Sequence, residues 1–234
     1  MRVGVVLLTR DLRVHDHPAL ATALRDHDAV VPLFVFDEAV AGAGFRPPNR
    51  TAFLLESLAD LDASLRDRGA GLVVRRGDWA ATAVEVAREV GAEAIHCSED
   101  VSGFARRRLD HLRAAAQRHG IAVHAHPGIT VVPPGAVQPT GGDHFKVFTP
   151  YHRQWAATAW REVAPTPRRI TAVADLDPGT LPALEDLAPG PRSPEAMPGG
   201  ETEARRRFTV WRRAGLATYG DRHDDLPEIG RAHV

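Results

Sequence analysis

The sequence predicts an α/β fold built on a doubly wound, five-stranded parallel sheet. Short apolar runs rich in β-branched residues alternate with longer amphipathic stretches through about residue 130, as in βαβ units. The apolar runs are nearly continuous, which is typical of strands covered on both faces. Repeated strand–helix alternation requires right-handed crossovers and parallel strands. The predicted strands are residues 3–8, 30–36, 72–75, 94–97 and 121–124.

The predicted helices carry start and stop signals that agree with this Rossmann-like arrangement. Apolar residues recur every three or four positions in Leu54, Leu58, Leu61 and Leu65, and again in Ala105, Leu109, Leu112 and Ala116. The candidate start residues are Pro18, at a first helical position, and the N-caps Asn49, Asp78 and Ser102. The candidate stops are Gly69, Gly91 and Gly120.

After residue 131 the pattern changes, and four segments are predicted: the α/β domain at 1–131, a linker with a short helix (151–162) at 132–198, the start of a helical domain at 199–227, and an unrelated tail at 228–234. The linker is rich in proline and lacks a sustained period, as surface linkers do. Phe208 and Trp211 lie on one predicted helix face, which a single helix cannot bury alone.

Composition excludes several classes of protein. The chain is 44% hydrophobic and 25% charged, with a net charge of −1. This balance argues against binding of nucleic acid or membrane by the net charge of the whole chain. A local basic patch would not show in the net charge. Its one cysteine, Cys97, excludes an internal disulfide framework and is predicted to be a core thiol. The apolar N-terminal run is too short for a signal peptide and no stretch is long enough to span a membrane, so a cytoplasmic protein is expected.

Charged residues follow the predicted strands, where parallel sheets bind ligands. The densest group is the stretch "TRDLRVHDH" after the first strand. Arg10 and Asp37 are candidate ligand contacts. The alternative is that the loop is fixed by pairing among its own charged residues, Arg10, Asp11, Arg13 and Asp16. His15 and His17 flank a single aspartate, which is poor spacing for a shared metal, and no metal site is predicted. These patterns alone indicate a nucleotide-like or small-molecule-binding domain without an identified reaction.

Four stretches, in order, resemble the DNA photolyase/cryptochrome family: "RDLRVHDHPAL", "NRTAFLLESLADLDASLRDRGAGLVVRRGD", "VPPGAV" with "FKVFTPYHRQW", and "GGETEARRRFTVW" with "YGDRHDDLP". The resemblance implies a light-harvesting α/β domain followed by a helical FAD domain. It also implies a deoxyribodipyrimidine photo-lyase, in which excited reduced FAD donates an electron to a flipped-out cyclobutane pyrimidine dimer. The expected partners are UV-damaged DNA and an antenna chromophore, with no membrane and a monomeric state.

Carried over by position, the resemblance implies few site residues. Tyr219 matches a tyrosine at the edge of the flavin site. Arg222 lies one place before a position where the family often has a DNA-contacting arginine, and His223 occupies that position. The flavin loop, the relay tryptophans and the DNA-facing cavity would follow residue 227, so the chain alone is expected to be inactive. Its own tryptophans, Trp79, Trp155, Trp160 and Trp211, are interpreted as packing residues.

The antenna that the resemblance favours is a deazaflavin, or a flavin in its place, with methenyltetrahydrofolate and an empty site as the alternatives. Members that bind a deazaflavin use an arginine in the first loop and acidic residues after the second and fourth strands, which Arg10, Asp37 and Asp100 match. Members that bind folate have an Asn-Glu pair where this chain has Gly103 and Phe104.

Three questions stay open at the level of sequence. A cryptochrome photoreceptor has the same architecture, and a freestanding nucleotide-binding α/β module is a rival from another class. The tail "EIGRAHV" matches what a common sequencing adapter encodes, so residues 228–234 are interpreted as foreign to a truncated gene, with a natural terminus as the alternative.

Overall fold

The computed structural model describes residues 1–41 and 47–222. A five-stranded parallel sheet forms its centre, in the order β3-β2-β1-β4-β5. The strands are β1 (Val3–Leu8), β2 (Ala29–Asp37), β3 (Val73–Gly77), β4 (Ala94–Ser98) and β5 (Ala122–His126). Each predicted strand is confirmed, with boundaries that move by no more than two residues.

Helices cover both faces of the sheet. The helices within the α/β domain are α1 (Pro18–Asp26), α2 (Glu38–Ala41), α3 (Pro48–Arg66), α4 (Trp79–Glu89) and α5 (Gly103–Gln117). In β1, alternate residues enter opposite cores: Val5 packs in a cluster with α4 and α5, and Val6 in a cluster with α1 and α3. This two-sided burial explains why the strands are continuously apolar.

The helix signals are confirmed with one exception. Asp78 and Ser102 cap α4 and α5 through their side chains, and Gly69, Gly91 and Gly120 adopt positive φ after helices. Asn49 is not a cap, because α3 already starts at Pro48. Its amide oxygen instead accepts a hydrogen bond from the Ser193 backbone N–H, at 2.8 Å.

The linker is bound to the α/β domain more closely than its composition predicted. Ile170 is 1% exposed and packs into the core beside α3. The backbone carbonyl of Pro178 accepts a hydrogen bond from Val74 at 2.7 Å, and that of Thr171 accepts one from Val30 at 3.0 Å. The linker thus satisfies strand groups that a loose surface segment would leave to water.

The short helix of the linker begins and ends earlier than predicted. It is α6 (Phe148–Ala157), and Pro150 falls within its first turn, where a missing N–H costs no helical hydrogen bond. After the helix, Arg161 is held by earlier parts of the chain: its backbone N–H donates to the Val131 carbonyl and its guanidinium binds Asp16. A further short helix, α7 (Leu184–Leu187), follows.

The last described part contains α8 (Glu201–Ala214), a short 3-10 helix (Leu216–Thr218) and α9 (Tyr219–Arg222). The interpretation of the tryptophans as packing residues holds for Trp79, which is 6% exposed. It holds only in part for Trp160 and Trp211, which have aromatic neighbours but stay 65% and 41% exposed. Trp155 is half-buried, with its ring 6.2 Å from that of Trp160.

The cysteine prediction is confirmed. Cys97 is a free thiol buried in the core between β1 and β5, and burial raises its pKa to about 12. Among the described helices, none combines the length and apolar character that a membrane crossing requires.

Candidate functional site

The strand order reverses between β1 and β4, whose carboxyl ends therefore border the crevice where open α/β sheets bind ligands. A guanidinium nitrogen of Arg10, which follows β1, lies 2.9 Å from Asp100 Oδ2, which follows β4. The other Asp100 oxygen accepts a hydrogen bond from the Ser102 backbone N–H. Asp100 is thus fixed, whereas Arg10 keeps 63% of its side chain exposed. Two of the three predicted antenna residues are in direct contact.

The third, Asp37 at the end of β2, pairs with a residue that the sequence did not single out. Its Oδ2 lies 3.2 Å from an Arg108 guanidinium nitrogen, and the two side chains are only 7% and 23% exposed. Arg108 projects from α5 and lies over the indole of Trp79, with 4.2 Å between the Cζ atom and the ring centroid. The Phe104 ring, 5.3 Å away, borders the same guanidinium. We call Asp37, Trp79, Phe104 and Arg108 the α5 corner.

Two N–H groups of the α5 corner are buried without a hydrogen-bond partner among the described residues, namely Arg108 Nε and Trp79 Nε1. Burial lowers the pKa of Arg108, while the nearby carboxylates of Asp37 and Asp78 raise it and the charge of Arg10 lowers it. That influence of Arg10 places the Arg10–Asp100 pair within electrostatic range of the α5 corner. The positive charges of Arg10 and Arg108 therefore lie close enough to influence each other.

The charge-dense first loop is mainly a structural unit. Asp11 is 2% exposed, and its carboxylate accepts hydrogen bonds from the Thr9 backbone N–H and from Ser98 Oγ, at 3.0 and 2.5 Å. His17 Nε2 lies 3.1 Å from the same carboxylate, and His17 Nδ1 accepts the Leu20 N–H and so caps α1. Burial raises the pKa of Asp11, but His17, Ser98 and Thr9 outweigh it and hold the pKa well below its ordinary value.

Other residues of this loop bind later segments of the chain. Asp16 forms a two-pronged ion pair with Arg161, whose hydrogen bonds are the main reason that the pKa of Asp16 is lowered. Arg13 donates to the backbone carbonyls of Asp16 and Gly128 rather than to a carboxylate. Glu201, at the start of α8, accepts the Val14 N–H at 2.8 Å. The loop is thus where the linker and α8 are attached.

Four histidines form a second polar group, centred on His96 of β4. His96 of β4 is 1% exposed; its Nδ1 lies 2.9 Å from His126 Nε2 and its Nε2 lies 3.1 Å from His27 Nε2. The His124 ring stands beside it, with centroids 5.0 Å apart. Burial and the three neighbouring histidines lower the pKa of His96 to about 3. We call these four residues the histidine cluster.

The residues carried over for flavin and DNA lie at the end of the described chain. Tyr219 begins α9 and is 57% exposed, with its ring edge-on to Trp211 and centroids 6.1 Å apart. Arg222 is the last residue of α9, and His223 lies outside the described residues, as does the segment 228–234. The flavin-edge and DNA-contact assignments stay predictions.

A concave region of about 700 Å³ lies between the loop before α6 and α6 itself. Phe145, Lys146, Phe148 and Tyr151 belong to its lining, most of which is exposed, and no residue of the strand ends takes part. This region is separate from the charged sheet edge.

Comparison with known proteins shows the family to which the chain belongs. Residues 4–169 match the family model described as DNA photolyase. A deoxyribodipyrimidine photo-lyase of Streptomyces griseus is 46% identical over 231 residues, which are 97% of this chain and 50% of that protein. A solved Synechocystis sp. PCC6803 cryptochrome has a TM-score of 0.84 at 23% identity, covering 94% of this chain and 48% of that one.

A third comparison shows the same fold. The archaeal photolyase from Sulfolobus tokodaii, solved with two FAD molecules, has a TM-score of 0.68 at 24% identity, and the match covers 87% of this chain and 45% of that one. The chain thus spans about half the length of each of these three relatives. With the family model matching most of its α/β domain, the chain belongs to the DNA photolyase family, of which it contains the N-terminal α/β domain.

Proposed function

We propose that this chain is the light-harvesting half of a blue-light-driven DNA photolyase that splits cyclobutane pyrimidine dimers by electron transfer from reduced FAD. The observation that carries the proposal is the sheet edge, where Arg10–Asp100 and Asp37–Arg108 form two ion pairs around the switch in strand order. Family membership and the S. griseus relative support the reaction class.

The sheet edge fits a planar, acceptor-rich chromophore of the flavin type, a deazaflavin or a flavin. When bound, such a group would absorb near-ultraviolet or blue light and pass the excitation energy on. Arg10 would contact it and Asp100 would hold Arg10 in place, since that carboxylate is only 12% exposed and is itself fixed by the Ser102 N–H. Phe104 occupies the position of the glutamate that the resemblance assigns to folate binding, and a phenyl ring cannot accept hydrogen bonds from a pterin. The S. tokodaii photolyase, which holds two FAD molecules, supports a flavin-type antenna.

Among the residues that the structure describes, Tyr219 is the one that the resemblance assigns to the FAD site, and a single aromatic side chain cannot hold a dinucleotide. We therefore expect the 234-residue chain to show no dimer repair by itself. Arg222 and His223 would contribute to phosphate contacts only in a protein that completes the helical domain.

The experiment that tests the antenna is purification of the chain and identification of what it binds. A bound chromophore with a near-ultraviolet or blue absorption band, released by denaturation and identified by mass spectrometry as a flavin or deazaflavin, would support the proposal. A colourless protein that also fails to bind added FMN would contradict it.

A cryptochrome photoreceptor is the second candidate, favoured by the close match in fold to the Synechocystis cryptochrome. The two differ in catalysis, so the test is repair of UV-irradiated oligothymidylate under blue light. Joining residues 1–222 to the C-terminal half of the S. griseus relative gives a protein in which this half can be assayed. Repair with an action spectrum that includes the antenna absorption band supports the photolyase proposal. Excitation transfer without repair, by a folded chimera that contains FAD, supports the cryptochrome.

A further inference from the structure

The α5 corner contains donor groups that the folded chain does not use. Arg108 carries five N–H groups, yet its one ion-pair partner among the described residues is Asp37, at 3.2 Å. Its Nε and the indole N–H of Trp79 are buried without a partner in the same part of the chain. Buried N–H groups without acceptors are costly, and native proteins rarely keep them without a reason.

The guanidinium is also held in a fixed plane. Trp79 supports one face, 4.2 Å from the Cζ atom to the ring centroid, and Phe104 borders it at 5.3 Å. A stacked guanidinium with a carboxylate at one end presents its remaining N–H groups in a rigid fork, the arrangement that recognises planar acceptors. Asp37 is thereby engaged by Arg108.

From this geometry we propose that Arg108, stacked on Trp79, is a ligand-binding and specificity-determining residue of the antenna site, and that Asp37 is the residue that positions it. The inference rests on the proposed antenna function. The matching ligand edge is the pair of carbonyl oxygens on the pyrimidinedione ring that flavins and deazaflavins share.

The same donors select against a pterin. A pterin presents an exocyclic amino group where a flavin has one of its two carbonyl oxygens, and that amino group needs an acceptor such as a carboxylate. At the α5 corner the carboxylate of Asp37 is occupied by Arg108, and Phe104 supplies no acceptor. Two donors facing each other would leave both without partners, which is the strongest basis for discrimination between ligands of similar shape.

The test is titration of the 234-residue chain with FMN, followed by flavin fluorescence. Arg108→Gln should weaken FMN binding at least tenfold, and Arg108→Lys should restore only part of it, because lysine lacks the planar fork. Arg113→Gln is the matched control: Arg113 lies on the same helix, is half-exposed and pairs with Asp110, so its loss should leave binding unchanged. Asp37→Asn should weaken binding by a smaller factor, since Arg108 remains.

Arg10→Gln separates this inference from the proposed function. If Arg10→Gln weakens binding and Arg108→Gln does not, the antenna site stands and the role of Arg108 is overturned. If wild type does not bind FMN, or neither variant affects binding, both ideas fail. If Arg108→Gln does not fold, Trp79→Phe replaces it. FMN should quench the tryptophan emission of wild type, and Trp79→Phe should lose part of that quenching. Equal quenching in both proteins would overturn the inference.

Discussion

Two polar clusters contact the same strand, β4: Asp11 with its partners, and the histidine cluster. The first contains a buried charged group, whereas the central residue of the second is buried in its neutral form. Ser98 and His96 lie two residues apart and so face the same side of the sheet. Ser98 contacts Asp11, which is buried as a carboxylate with a lowered pKa. His96 is buried among three other imidazoles, and its pKa is lowered to about 3, which keeps the ring neutral.

The donors around each group explain the difference. Asp11 receives the Thr9 N–H and the Ser98 hydroxyl and lies beside His17, so its negative charge is solvated by the protein. The hydrogen-bond partners of His96 are rings that can themselves become positive, so a charge there is repelled as well as desolvated, and the carboxylate of Asp26 offsets this only in part. The surroundings of Asp11 therefore tolerate charge, whereas those of His96, two residues before Ser98, exclude it.

The largest effect should come from removing the solvated charge. Asp11→Ala leaves the Thr9 N–H, Ser98 Oγ and His17 without their shared acceptor inside the protein. We expect the free energy of unfolding to fall by about 3 kcal/mol, the magnitude typical of a broken buried charge network. Urea denaturation monitored by circular dichroism measures it.

Asp26→Asn is the matched control, because Asp26 is an exposed carboxylate that pairs with the adjacent Arg25. Its denaturation midpoint should not change measurably. A wild-type-like Asp11→Ala would show that the first loop does not depend on a buried charge.

The first of these clusters was only partly predictable from sequence. The density of charge in "TRDLRVHDH" indicated a loop of special importance, and pairing among its own residues was one of the two interpretations. Arg13 does bind Asp16 within the loop, through the backbone carbonyl, but Arg13 also binds Gly128 and the Asp16 carboxylate binds Arg161, both far along the chain. Contacts between residues more than a hundred positions apart leave no periodic pattern, whereas strands and helices do.

As the pH falls, protonation should destabilise the histidine cluster at a higher pH than that at which Asp11 is protonated. An unfolded histidine titrates near 6.5 and His96 near 3, so between these values the unfolded state binds more protons and stability falls as pH falls. We expect a loss of about 2 kcal/mol between pH 7 and pH 5. Asp11, whose pKa lies below the ordinary value of 3.8, stays charged throughout this window.

Denaturation at several pH values tests this prediction, with His96→Gln as the variant. Its stability should depend on pH much less than that of wild type. The groups that face the site are His27, His124, His126 and, electrostatically, Asp26. His119→Gln, at an exposed position after α5, should follow the wild-type curve. A His96→Gln curve as steep as wild type would assign the acid sensitivity to other groups.

The candidate site shows the same limit of prediction as the first loop. Arg10 and Asp100 could be placed together, because the ends of adjacent parallel strands meet at one edge. Arg108 lies within the run "ARRRLD", where three arginines differ only by helical phase. Only the packing of α5 against α4 decides which one meets Trp79 and Asp37.

The smallest effect separates the two clusters most directly. Ser98→Ala removes one hydroxyl donor from Asp11 and leaves the Thr9 N–H and His17 in place, so stability should fall by about 1.5 kcal/mol. The variant also raises the pKa of Asp11 toward its ordinary value, because one source of its lowering is lost. The stability loss in Ser98→Ala is fully present above pH 5, where Asp11 is ionised in both the folded and unfolded states, and shrinks only in stronger acid.

The stability curves of Ser98→Ala and wild type should therefore run parallel between pH 7 and pH 5, where His96 titration dominates. A gap that widens or narrows in this window would mean that the clusters share their protons through β4 and are one unit.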